Sequence, residues 1–192
     1  MQSIRHWLRA RLRHALAVRR RVRGVDVTVY NTRPDVDSGQ VLERLAAALD
    51  LIDRYTPHYG RHLRRDFSGF LVQRYPCRGA YFLETRQCLV ELTFCVHPAI
   101  SQPEIAATIL HEAMHARLHA LGFPVEMQDR ARQERFCRRA EIEFGRLVPG
   151  GEPVVARALQ TLQLEDAEVA PEIDWQIAQQ RMDQADRDAS AS

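Results

Sequence analysis

Residues 101–124 read SQPEIAATILHEAMHARLHALGFP, and this stretch decides what kind of chain this is. Ser101-Gln-Pro-Glu104 has the form of a capping box, with Ser101 as N-cap, Pro103 inside the first turn and Glu104 at the third helical position. Ile105, Ile109, Ala113 and Ala116 recur at helical spacing, as do Ala106, Leu110, Met114 and Leu118. Gly122 and Pro124 supply the stop. The pattern predicts one helix of about 18 residues, with His111, Glu112 and His115 at its middle.

On that helix His111 and His115 lie one turn apart on the same face, so two imidazole nitrogens can converge on one metal ion. Glu112 is rotated by roughly 100° from His111 and flanks that face, where a carboxylate can take a proton from a metal-bound water. Chance is a poor source of the pattern. With 8 His and 13 Glu in the chain, a shuffled sequence would contain HExxH roughly 0.02 times.

A catalytic zinc site needs a third protein ligand and one position open to water. His119 continues the histidine row, but residues eight apart are separated by about 12 Å along a helix. Bonds of about 2 Å therefore exclude a single ion shared by His111, His115 and His119. A second helix is expected from about Gln128 to Val148, closed by Pro149-Gly150-Gly151. Its apolar stripe is Phe136, Cys137, Ala140, Phe144, Leu147 and Val148, with Glu134 and Glu141 on one bordering flank and Arg138 between them. Charged residues so placed commonly form a solvated, salt-bridged face. The spacing argues for more. With 18 residues between His115 and Glu134, the chain can turn and return antiparallel, bringing a carboxylate beside the histidines. Glu134 is the candidate third ligand and Glu141 the fallback.

HEAMH followed at this interval by Glu134 resembles the gluzincin branch of zinc metallopeptidases, and the small size resembles its minimal members. The resemblance covers roughly residues 66–148. It implies an α+β, zincin-like fold: a small twisted sheet with a backing helix, an active-site helix and a glutamate helix. It also implies one zinc ion held by His111, His115 and Glu134, with Glu112 polarising the attacking water. The chain departs from that family's pattern in three places. Arg117 stands where a hydrophobic residue is usual, no Asp follows Glu134 one turn on, and no His or Tyr occurs after His119 to act as a downstream donor. By chemistry alone, Arg138, His119 and Tyr81 are candidates to hydrogen-bond the reacting carbonyl oxygen.

Upstream, Val25 to Tyr30 alternates as a strand, and Val41, Leu42, Leu45, Leu49 and Ile52 mark an amphipathic helix behind it. Gly69 to Arg74, Ala80 to Thr85 and Cys88 to Val96 read as a meander of strands. Zincin folds run an edge strand alongside the active-site helix, where substrate backbone can add as a further strand. Cys88 to Val96 is the candidate for that edge, an ordinary core strand being the alternative.

A chain of 192 residues, 45% hydrophobic, suffices for one domain with its own core. The expected organisation is a basic amphipathic helix over residues 1–24, the metallopeptidase-like domain over 25–162 and an acidic, weakly packed tail over 163–192. Cys77, Cys88, Cys95 and Cys137 show no CxxC spacing, which favours reduced thiols and a cytoplasmic setting. No uncharged apolar run approaches a membrane span, and the start lacks the apolar core of a signal peptide. Net charge is +2, yet residues 1–25 carry eight Arg and no acid, while the last thirty carry eight acids against two Arg. Ile4, Trp7, Leu8, Leu12, Ala15 and Leu16 form a stripe in the basic segment that can pack on the domain or meet an anionic membrane or acidic partner. Nucleic acid is not an expected partner.

The sequence therefore reads as a zinc metallopeptidase acting on a peptide or protein substrate. A catalytically silent zincin-like binding or regulatory module is the alternative. Two histidines and a carboxylate favour zinc, although affinity order alone does not exclude nickel, cobalt or copper.

Overall fold

The computed structural model of the chain describes residues 17–124, 129–170 and 174–190. Arg23 and Gly24 both take left-handed backbone, with φ of 47° and 80°. Two such residues in succession make the primed hairpin turn whose twist matches paired strands. They join β1 (Ala17–Val22) to β2 (Val25–Tyr30) in antiparallel register, Val22 opposite Val25. This corrects the expectation of a helix through residue 24. Val18 and Val22 alternate toward the core, and Arg-Gly serves as a turn where Asn-Gly or Asp-Gly is the usual signature. The apolar stripe from Ile4 to Leu16 lies outside the described residues.

The chain is α+β, a mixed five-stranded sheet with eight helices among the described residues. Helix α1 (Ser38–Tyr55) starts where the Asp37 carboxylate accepts from the Gly39 and Gln40 amides. It buries Val41, Leu45, Ala48, Leu49 and Ile52. Helix α2 (Pro57–Asp66) follows at once, with Pro57 in its first turn. Sequence reading missed α2 because Leu63 is the one aliphatic side chain it commits to the core, too few for a visible stripe. Both helices form the crossover from β2 to the parallel strand β3 (Gly69–Gln73). Strand β4 (Gly79–Phe82) and strand β5 (Gln87–Glu91) complete the order β1-β2-β3-β5-β4, with β5 parallel to β3 and β4 antiparallel to β5.

The segment expected as an edge strand, Cys88 to Val96, is thus interior, and the edge is β4. Pairing ends at Glu91, whose carboxylate turns to accept from the Phe94 amide at 2.6 Å and starts the short helix α3 (Leu92–Val96). One row across the sheet runs Val29, Val72, Val90 and Gly79, and the next runs Val27, Phe70, Cys88 and Tyr81. Since alternate residues face opposite sides, both rows share one face, and the Val, Phe and Cys members are buried core residues. Against this face lies helix α4 (Gln102–Ala120).

Helix α4 has the expected capping box complete, Ser101 accepting from the Glu104 amide and Glu104 accepting from the Ser101 amide. Its end is a Schellman turn. The Phe123 amide donates to Leu118 O and the Gly122 amide to His119 O, each at 2.9 Å, with Gly122 at φ 74°. Helix α5 (Arg130–Leu147) packs antiparallel on α4; Gln128, its expected start, lies outside the described residues. Helices α6 (Glu152–Leu162), α7 (Asp166–Val169) and α8 (Trp175–Ser190) follow.

No residue between 174 and 187 in the acidic tail is buried. Helix α8 is tethered where Asp186 meets Arg33 at 2.7 Å and Arg74 at 2.8 Å, and Trp175 packs on Tyr75. Composition hid this, because the contacts are charge pairs made over more than a hundred residues of chain. No described helix is long and apolar enough to cross a membrane, and all four cysteines are free thiols.

Burial works to raise the Asp186 carboxyl, but the two arginines hold it below its usual range. A depressed carboxyl stabilises the fold above its unfolded value of about 3.9 and loses that contribution as pH falls. Asp186→Asn should therefore speed amide exchange across residues 175–190 at neutral pH, at a global cost of no more than about 1 kcal/mol. Wild-type exchange there should approach the variant's as pH drops below about 4. Equal protection in both proteins at neutral pH would refute the tether.

Candidate metal centre

Helices α4 and α5 bring the donors together. His111 Nε2 and His115 Nε2 face each other at 3.2 Å. The Glu134 carboxylate completes a triangle, with one oxygen 3.2 Å from His111 Nε2 and the other 3.4 Å from His115 Nε2. Ligands about 2.0–2.1 Å from one ion in tetrahedral geometry lie about 3.3–3.4 Å apart. The residues present thus fit a single small divalent cation, and the donor chemistry suits zinc.

Cys137 Sγ also lies within 4.8 Å of donor atoms on both histidines, so His111, His115 and Cys137 form a second set able to hold a metal. Tetrahedral sulfur ligation at about 2.3 Å would need nitrogen–sulfur spacings near 3.5 Å. Glu134 is already at ligand spacing. Cys137 is wholly buried, and its thiol is pushed well up by that burial and by Glu134. On distance, Glu134 completes the triad.

Glu141, the fallback ligand, does something else. Its Oε1 lies 2.8 Å from His111 Nδ1, on the far side of the ring from the metal-facing nitrogen, and accepts from Arg138 Nη1 at 2.7 Å. A carboxylate behind a histidine accepts a hydrogen bond from Nδ1–H, orients the ring and leaves the Nε2 lone pair for the ion. Glu141 is 1% exposed, and a buried charge needs such partners. Arg138 thereby has one donor, Nη1, on Glu141. The clue was available, since Glu134 and Glu141 stand seven apart and share a helix face.

The charges of this cluster are mutually dependent. Burial disfavours the charged imidazole of His111, yet Glu134 and Glu141 outweigh it and push the ring up to about 10. Burial likewise opposes ionisation of Glu134, but hydrogen bonds from His111 and His115 hold its carboxyl well below the usual range. A cation held by these donors would compete with protonation of His111.

Glu112 sits beside the triad, buried, with its carboxyl raised by desolvation against the pull of His111 and His115. Strand β4 passes directly over it. A Cβ on Gly79 would lie 2.8 Å from Thr108 Cγ2 and 3.1 Å from Glu112 Oε1, so the edge strand reaches the helix only because residue 79 has no side chain. Two residues on, the Tyr81 hydroxyl shares a 3.2 Å hydrogen bond with His119 Nδ1. His111, Glu112, His115, Tyr81, His119 and Glu134 all line one cleft of about 610 Å³. Trp175 stands at the same cleft, a contribution invisible to sequence reading because the contact is long-range.

No family model matches the chain, and no curated protein or solved structure does either.

Glu134→Gln removes an anionic ligand and should lose most zinc affinity in competition with a chromophoric chelator. Glu141→Gln should weaken it by about 10–100-fold, the usual loss when a ligand's outer partner is removed. Zinc kept in Glu134→Gln and abolished in Glu141→Gln would exchange their roles.

Proposed function

We propose that the chain is a zinc-dependent metallopeptidase with a minimal zincin-like, gluzincin-type fold. The observation that carries the reading is the triangle of His111, His115 and Glu134 donors at 3.2–3.4 Å, with Glu112 beside it in an open cleft. When bound, zinc would supply Lewis acidity toward water and the scissile carbonyl. The protein's own groups supply the rest.

Glu112 is the general base. Its carboxyl, raised by burial, accepts a proton from the attacking water and later delivers it to the leaving amine. Glu141 keeps the His111 ring in one tautomer and orientation throughout. Tyr81 and His119 lie on the same cleft and hydrogen-bond each other. A substrate carbonyl oxygen can take the Tyr81 hydroxyl proton as a hydrogen bond as charge grows on it. This pair compensates for the absent downstream donor of larger relatives.

The substrate backbone would add to β4. The outer side of that strand has no partner strand among the described residues, and an extended peptide can pair with such an edge. Gly79 brings that edge against Glu112, so a peptide bond held there lies alongside the base.

Glu112→Gln conserves shape but cannot accept the proton. It should retain zinc and lose hydrolysis of an unstructured protein substrate by at least about 10²–10⁴-fold. Wild-type protein that holds zinc and cleaves no more than the variant across a broad peptide library would instead indicate a catalytically silent module.

A further inference from the structure

Among the described residues, the lining of the cleft carries more arginines than carboxylates. Beyond the site's three glutamates, every formally charged residue lining it is an arginine: Arg78, Arg130, Arg138 and Arg157. Glu134 and Glu141 are already engaged with the histidines and with Arg138. Arg138 and Arg157 both approach Glu141. Arg78 immediately precedes Gly79, and its guanidinium lies over the Phe94 ring, 5.4 Å from the centroid. Arg157 stands 3.9 Å from Glu141 and 4.0 Å from Glu104, beyond hydrogen-bond reach of both. Arg138 uses Nη1 on Glu141, while its buried Nε has no hydrogen-bond partner. Arg78 and Arg157 line the same cleft.

Guanidinium groups lining one cleft match a planar carboxylate better than any other common peptide group. A lysine or arginine side chain of a substrate would meet like charge there, which discriminates strongly. We propose that the cleft contains a carboxylate-binding subsite formed by Arg78, Arg138 and Arg157, so that the favoured substrate carries an acidic group close to the bond it presents to Glu112. The carboxylate is either an Asp or Glu side chain or the substrate's own C-terminus. The substrate class rests on the peptidase reading; the binding preference does not.

The test uses fluorescein-labelled, alanine-rich peptides that differ at one scanned position as Glu, Gln or Lys, each as free acid and as C-terminal amide. Anisotropy is read on the full-length protein, both zinc-loaded and after chelation, so that attraction to the ion is separated from attraction to the arginines. The Glu peptide, or the free acid, should bind about 10-fold or more tightly than its neutral counterpart in both states. That ratio should fall toward one in Arg78→Gln and in Arg78→Gln/Arg157→Gln. Arg78 is exposed, so the single variant should fold even if the double does not. A side-chain or terminal source is read from which arm carries the preference. Equal affinity for acidic and neutral peptides, or a ratio unchanged in Arg78→Gln, would overturn the subsite. Tight acidic binding with no cleavage by zinc-loaded protein would count against the peptidase reading alone.

Discussion

Three carboxylates and two imidazoles, buried or half-buried between two helices, set the constraint that the rest of this structure serves. Ionised groups out of water are costly unless each finds a partner, and here the partners are largely one another. Glu134 is held ionised by His111 and His115, and Glu141 by His111 and Arg138. Such a cluster tolerates little misplacement, because a missing member leaves an uncompensated charge. It has a further property. The nitrogen and oxygen atoms that converge are all electron-pair donors, so a cation at their centre would relieve their mutual repulsion more fully than a shared proton.

The sheet serves the same constraint from the other side. Register across four strands carries Val29, Val72 and Val90 to Gly79 in one row, and Val27, Phe70 and Cys88 to Tyr81 in the next. The buried rows hold β4 against α4, and the missing side chain at Gly79 lets strand and helix touch beside Glu112. Tyr81 then falls opposite His119. Core packing thus decides where the edge strand runs relative to the base, although no core residue enters the cleft.

Much of the site was legible because its signals are local. The capping box at Ser101, the helical repeat through Met114 and the stop at Gly122 specify α4 without reference to anything distant. His111, Glu112 and His115 follow from it. The interval to Glu134 was informative because an antiparallel helix pair has few ways to return. The misreadings were failures of locality. Arg23-Gly24 makes a hairpin that its composition does not announce, so β1 was read as helix. Glu91 ends β5 by turning its side chain to cap α3, and a run of apolar residues gives no hint of that. The edge position of β4 depends on strand order, which pairing over long separations decides. Glu141 stands in the sequence only as a fallback ligand, since spacing alone does not say which side of an imidazole a carboxylate meets.

The account stands or falls on one ion at one place. Elemental analysis of the purified, zinc-equilibrated protein, joined to X-ray absorption at the zinc edge, measures both stoichiometry and ligand atoms. Close to one zinc per chain is expected, with nitrogen and oxygen ligands at about 2.0–2.1 Å and no sulfur. Folded protein without near-stoichiometric metal would contradict the metal centre. A sulfur contribution at about 2.3 Å would move the third ligand from Glu134 to Cys137 and take the gluzincin assignment with it.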